Sequence, residues 1–202
     1  MYSLSMSSKK QFKIISVTGA HSSIGKTTLC SILLNNLDSF GAVKFTKTAM
    51  FTSVTDDPEI ILVKGKDTAV MSKAGAKKVV WIQSPYDSLD DALNMASLKM
   101  EGLNGMVVEG NSPVDFINPH LVVFIMGPDG EMKESAKKVS NIADIIVINT
   151  EKRPDDLNSI VSKIESGNEA EKEIFWIDLL NQRGEIDIFR SCVEKMLAKK
   201  LN

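Results

Sequence analysis

The sequence predicts an α/β fold of three layers, with a mainly parallel central sheet of about seven strands. Short apolar runs alternate with amphipathic stretches from one end of the chain to the other, the pattern of βα units whose sheet is covered on both faces. The 202 residues, 43% hydrophobic and 25% charged, suffice for one core, while 12 Gly and 6 Pro are too few for a linker-rich chain.

The first strand is predicted at Phe12–Thr18. The helix after it carries Leu29, Ile32, Leu33 and Leu37 on one side, with Gly41 as its stop. A strand follows at Ala42–Thr46. The alternation then lapses over Phe51–Asp67, with Thr, Asp and Pro before the short apolar run Ile60–Val63; the segment reads as a loop plus a small strand and as a candidate mobile functional loop. Beyond it come helix Thr68–Gly75, strand Lys78–Gln83, helix Ser88–Met100, strand Gly105–Glu109 and strand Leu121–Met126. Helix Lys133–Ile142, strand Asp144–Asn149, helix Pro154–Ile164, strand Glu173–Ile177 and helix Asp187–Leu201 complete the pattern. Pro154 suits a first helical turn, and Lys199 and Lys200 oppose the negative end of the last helix dipole. Residues 1–11 read as a flexible leader and 12–202 as one domain.

A net charge of -2 supplies no global positive field for a polyanion, so nucleic acid is not an expected partner. No apolar run approaches the roughly 20 residues of a membrane span, and Met1–Lys10 lacks the apolar core of a secretory signal. Cys30 and Cys192 lie far apart in apolar helical patterns and read as free thiols, which points to the cytoplasm.

The chemistry is concentrated in Gly19-Ala20-His21-Ser22-Ser23-Ile24-Gly25-Lys26-Thr27-Thr28, between a strand and a helix. It fits G-x-x-x-x-G-K-[ST] with Ala20 at the first glycine position. Such a loop turns successive backbone N–H groups onto a phosphate, needs glycine where a side chain would block the anion, and has a helix N-terminus behind it. Lys26 is expected to reach the β and γ phosphates, Thr27 to ligate Mg²⁺, and Thr28 with the amides of Ala20, His21, Ser22, Ser23, Ile24 and Gly25 to hold the phosphate chain. His21 is expected to act through its backbone.

A carboxylate for the metal is expected at the end of a neighbouring strand, and Glu109 stands there, as direct ligand or holder of its water. Asp56, Asp57 and Asp67 are further candidates; Asp67 serves equally as the cap of the helix from Thr68. Asn149-Thr150-Glu151-Lys152 stands where guanine-reading proteins carry Asn-Lys-x-Asp. Asn149 alone is kept as a base contact, and Lys152 cannot accept the guanine edge, so the residues admit GTP or ATP.

Three stretches together resemble the molybdopterin-guanine dinucleotide biosynthesis protein B (MobB) family of P-loop NTPases. They are Ala20 to Leu29; Gly65-Lys66-Asp67-Thr68 with Lys73-Ala74-Gly75-Ala76 and Val79–Ile82; and Val107-Val108-Glu109-Gly110. Val43-Lys44-Phe45-Thr46 is similar to that family's second strand, with Phe45 in place of His. The likeness runs through 12–150. It implies a nucleotide-binding accessory protein with weak GTP hydrolysis that helps load guanine nucleotide onto molybdopterin, working as a homodimer beside a molybdopterin guanylyltransferase. Dethiobiotin synthetase and cobyrinate diamide synthase carry a similar loop, so an ATP-dependent ligase is the alternative, its organic acid held by Lys44, Lys47 and Phe51–Asp57. A regulatory module that binds nucleotide without hydrolysing it is a third reading.

Overall fold

The computed structural model describes residues 11–162 and 172–199. The chain runs β1 (Lys13–Gly19), α1 (Lys26–Leu34), β2 (Phe40–Lys47), β3 (Ser53–Thr55), α2 (Pro58–Ile61), α3 (Asp67–Lys73), β4 (Val79–Ser84), α4 (Leu89–Leu98) and β5 (Gly105–Glu109). It continues through β6 (Leu121–Met126), α5 (Glu134–Asn141), β7 (Ile145–Asn149), α6 (Leu157–Val161), β8 (Glu173–Asp178), β9 (Arg183–Gly184) and α7 (Ile186–Lys199). The sheet has nine strands in the order β3-β4-β2-β5-β1-β6-β7-β8-β9. The seven expected main strands form its parallel body; β3, inside the segment 51–67 where a small strand is expected, and β9, which the sequence does not predict, pair antiparallel at the edges. At three and two residues these edge strands are too short to show a period of two.

Alternate residues of each central strand enter opposite layers. Ile15 and Val17 of β1 with Val123 and Ile125 of β6 pack beneath Leu29 and Leu33 of α1 and Phe189 and Val193 of α7. The facing residues Phe124 and Ile146 meet Ala136 and Val139 of α5, and Val43, Ile82 and Val108 meet Leu89 and Leu93 of α4. This double covering explains why the strands read as unbroken apolar runs. Among the described residues no helix is long and apolar enough to cross a membrane.

Four local expectations are corrected. Helix α1 ends at Leu34, and Gly41 lies inside β2 instead of stopping the helix; Ser39, at φ 56°, makes the left-handed turn between them. The run 60–63 begins in the helical turn α2, capped by Asp57, and the small strand forms earlier, at β3. Pro154 is not the first helical residue of α6: Asp156 caps that helix through the Ser159 amide at 3.0 Å. Asp67 is the first residue of α3 and Lys66 occupies its cap position. The leader residues 1–10, Ile164 and Lys200 lie outside the described residues.

Candidate functional site

The end of β1, the start of α1 and the ends of β2 and β5 meet at the carboxyl edge of the sheet, because parallel pairing brings Val17 opposite Glu109 and Lys44 opposite Glu109. The loop between β1 and α1 is fixed from several sides. Ala20 donates its N–H to the Ile125 carbonyl (2.9 Å) and its carbonyl accepts from the Lys133 amide (3.0 Å). Ala20 is therefore not available to an anion, which corrects the expectation that its amide binds phosphate: buried and bonded on both sides, it anchors the loop. Gly19 is clamped by the Asn111 side chain, which accepts from its N–H and donates to its carbonyl, both at 2.9 Å.

From this anchor the loop curls back with Ser23 at φ 61° and Gly25 at φ 106°. Gly25 has no substitute here: a Cβ would sit 2.7 Å from Leu179 Cδ1 and 3.2 Å from Asn149 Nδ2, at a φ that side chains rarely adopt. Asn149, expected as a base contact, instead braces the loop. Its amide donates to the Ile24 carbonyl (3.0 Å) and its oxygen accepts from the Leu179 N–H (3.1 Å). Ile24 is buried in the core, and the His21 ring contacts the Ser22 carbonyl at 2.8 Å on the exposed side.

A cavity of about 450 Å³ opens in front of the loop, lined by Ser22, Ser23, Gly25, Lys26, Thr27, Lys44, Phe45, Thr46, Asp67, Glu109 and Gly110. Thr28, half-buried in the first turn of α1, lies outside that lining. The Lys26 ammonium donates to the His21 carbonyl at 2.9 Å and, among the described residues, forms no salt bridge. Burial lowers its pKa, and the Glu109 charge offsets only part of that effect. A part-buried cation held by a neutral carbonyl is an electrostatic invitation to an anion.

Across the cavity Glu109, 2% exposed, accepts from the Thr27 hydroxyl (2.9 Å) and from Lys44 Nζ (2.6 Å). Lys44 also pairs with Asp67 at 2.6 Å. Burial disfavours the Lys44 charge, yet Glu109 and Asp67 together outweigh it and raise its pKa. The donors fit Mg²⁺, a hard cation taken by oxygen ligands: neighbouring ligands of an octahedron with about 2.0–2.1 Å bonds stand roughly 2.9 Å apart, and the Thr27 and Glu109 oxygens are 2.9 Å apart. Asp67 lies on the same wall, tied through Lys44.

Asp56 and Asp57 are not at the site. Asp57 caps α2 through the Glu59 amide, and Asp56 pairs with Lys99 at 2.8 Å. Lys47 and residues 51–57 do not line the cavity, whereas Lys44, expected with them to hold an organic acid, does. Sequence reasoning missed Asn111, two residues beyond Glu109, and the hairpin residue Leu179 that covers Gly25.

That hairpin is shaped by Asp178, which accepts from Asn181 and Arg183 and has its pKa lowered from 3.8 to about 2 by these bonds. A carboxylate whose folded pKa lies below its unfolded one stabilises the fold above the unfolded value, and loses that effect as pH falls through the folded value. The loss of thermal stability in Asp178→Asn is thus expected to be full at pH 6, to shrink below pH 4 and to be mostly gone at pH 2. A difference from wild type that is unchanged across a melting series from pH 6 to 2 would refute this role.

The three-layer sheet, the loop between its central strand and α1, and the cation and carboxylate at its mouth define the P-loop NTPase fold. The chain shares that fold with HypB from Helicobacter pylori in complex with nickel, at 12% identity and TM-score 0.60 over 95% of this chain and 90% of that one. It shares it likewise with the hydrogenase maturation factor HypB from Archaeoglobus fulgidus, at 13% and 0.58 over 92% and 90%. LpxK from Aquifex aeolicus, solved in an "apo" form in complex with ATP, matches at 13% and 0.50 over 82% of this chain and 53% of that one. Neither a protein-family model nor a curated protein matches the sequence.

Proposed function

We propose that the chain binds a Mg²⁺-nucleoside triphosphate, GTP or ATP, at the loop Gly19–Thr28 and hydrolyses it slowly, as an accessory protein of the MobB kind. The observation that carries this reading is the convergence of Lys26, Thr27, Lys44 and Glu109 on one cavity at the carboxyl edge of the parallel strands. The ATP in the LpxK structure supports a nucleotide as ligand for this fold. The resemblance to MobB rests partly on Gly65–Thr68, and Asp67 of that block lines the same cavity, which ties the family likeness to the site.

When bound, Mg²⁺ supplies charge neutralisation between the phosphates. The chain's own part is to place amides and the Lys26 ammonium on the terminal phosphates, where charge builds in the transition state. Glu109 accepts from both Thr27 and Lys44, so it serves to hold the metal ligand and the second lysine, not to take a proton from water. Asp57 caps α2 and is not part of the cavity wall, and Asp67, the other acid of that wall, is paired with Lys44, so neither stands ready to orient a water, which fits slow turnover. By the same resemblance the partner is a molybdopterin guanylyltransferase-like protein, the working form a homodimer and the compartment the cytoplasm.

Single-turnover reactions with protein in excess over GTP or ATP and Mg²⁺ test the reading. Phosphate release on the scale of hours is expected with at least one nucleotide. A bound triphosphate that stays intact for days would replace hydrolysis by binding alone.

A further inference from the structure

A second cavity of about 260 Å³ opens beside the first and shares Lys44, Thr46 and Asp67 with it; Gly65, Lys66, Thr68 and Trp81 complete its wall. Nothing in the nucleotide reading uses its far side. Trp81 is held in place there, its indole N–H donating to the Thr46 hydroxyl at 3.0 Å, and the Lys66 ammonium lies 4.8 Å from its ring centroid. The Thr46 hydroxyl thereby keeps its own proton to donate into the cavity. The hydrocarbon of the half-buried indole forms an apolar wall; of the two lysines in the lining, Lys44 is already held by Glu109 and Asp67 at 2.6 Å each, whereas Lys66 forms no salt bridge among the described residues.

We infer that this cavity is a binding site for a small organic acid, its carboxylate held by the Lys66 ammonium and the Thr46 hydroxyl and its apolar body on Trp81. The volume lies just under the roughly 300 Å³ at which ligand pockets begin, so the occupant is small. Asp67 on the shared wall is already paired with Lys44 and disfavours more than one negative charge in the ligand. The site rests on the nucleotide reading only for its purpose, since the acid would lie beside the triphosphate; its occupancy is independent of that reading.

The chain has 2 Trp, so Trp176→Phe leaves Trp81 as the sole indole reporter. In that background benzoate is the probe, with neutral benzamide and inorganic phosphate as controls. A saturable change in Trp81 fluorescence is expected with benzoate alone. Lys66→Gln is expected to weaken it about tenfold, the effect of losing one charge-assisted contact open to water. Lys26→Ala is expected to leave benzoate affinity unchanged while nucleotide affinity is lost, so failure of the nucleotide reading and failure of the acid site give different results. No saturation with benzoate, equal binding of benzamide or phosphate, or a Lys66→Gln protein that binds as well as its parent would each overturn the assignment.

Discussion

Lys26→Ala is expected to lower the affinity for Mg·GTP or Mg·ATP by at least about two orders of magnitude, because it removes the one cation of the loop that faces the anion without a carboxylate partner. The fold should survive. Lys26 sits at the first position of α1, its ammonium bonded to one carbonyl, and truncation strands no buried charge. Removing an ammonium that burial already disfavours leaves unfolding by urea close to wild type, so the loss belongs to binding alone. Unchanged affinity in a calorimetric titration would remove Lys26 from the site.

Glu109→Ala carries the second large effect, and here binding and stability fall together. Its carboxylate is buried and accepts from Thr27 and Lys44; without it Lys44, 16% exposed, keeps only the half-exposed Asp67. Breaking a fully buried pair costs about 3–5 kcal/mol, and the surviving Asp67 partner reduces the expected cost to about 1–3 kcal/mol. Glu109→Gln, which keeps the shape, separates the two effects. It should retain most of the stability yet lose the dependence of nucleotide affinity on Mg²⁺, measured by titration with and without the metal. A Glu109→Gln protein whose affinity still rises with Mg²⁺ as in wild type would exclude Glu109 from the metal site.

The loop, Lys26, Thr27 and Glu109 were legible in the sequence because a phosphate site needs particular residue types at fixed positions between a strand and a helix. The seven parallel strands were legible because burial on both faces makes each a continuous apolar run. Other features depend on contacts between distant segments, which leave no local period. Asn111 clamps Gly19 across 92 positions, and Lys44 meets Glu109 across 65. Asn149 shows the same limit from the other side: its place after β7 suggested a base contact, but the approach of Leu179 and Ile24 turned its amide to the loop. The two-residue strand β9 is too short to show a period of two, and the start of α6 is set by a local bond, the Asp156 side chain accepting from the Ser159 amide.

The amide resonances of the loop give the most direct test. On adding Mg·GTP or Mg·ATP, the backbone N–H signals of Ser22, Ser23, Gly25, Lys26 and Thr27 are expected to shift to saturation together, while that of Ala20, bonded to Ile125, moves little. Saturating shifts confined to other parts of the chain, or none at millimolar nucleotide, would contradict a phosphate cradle at this loop.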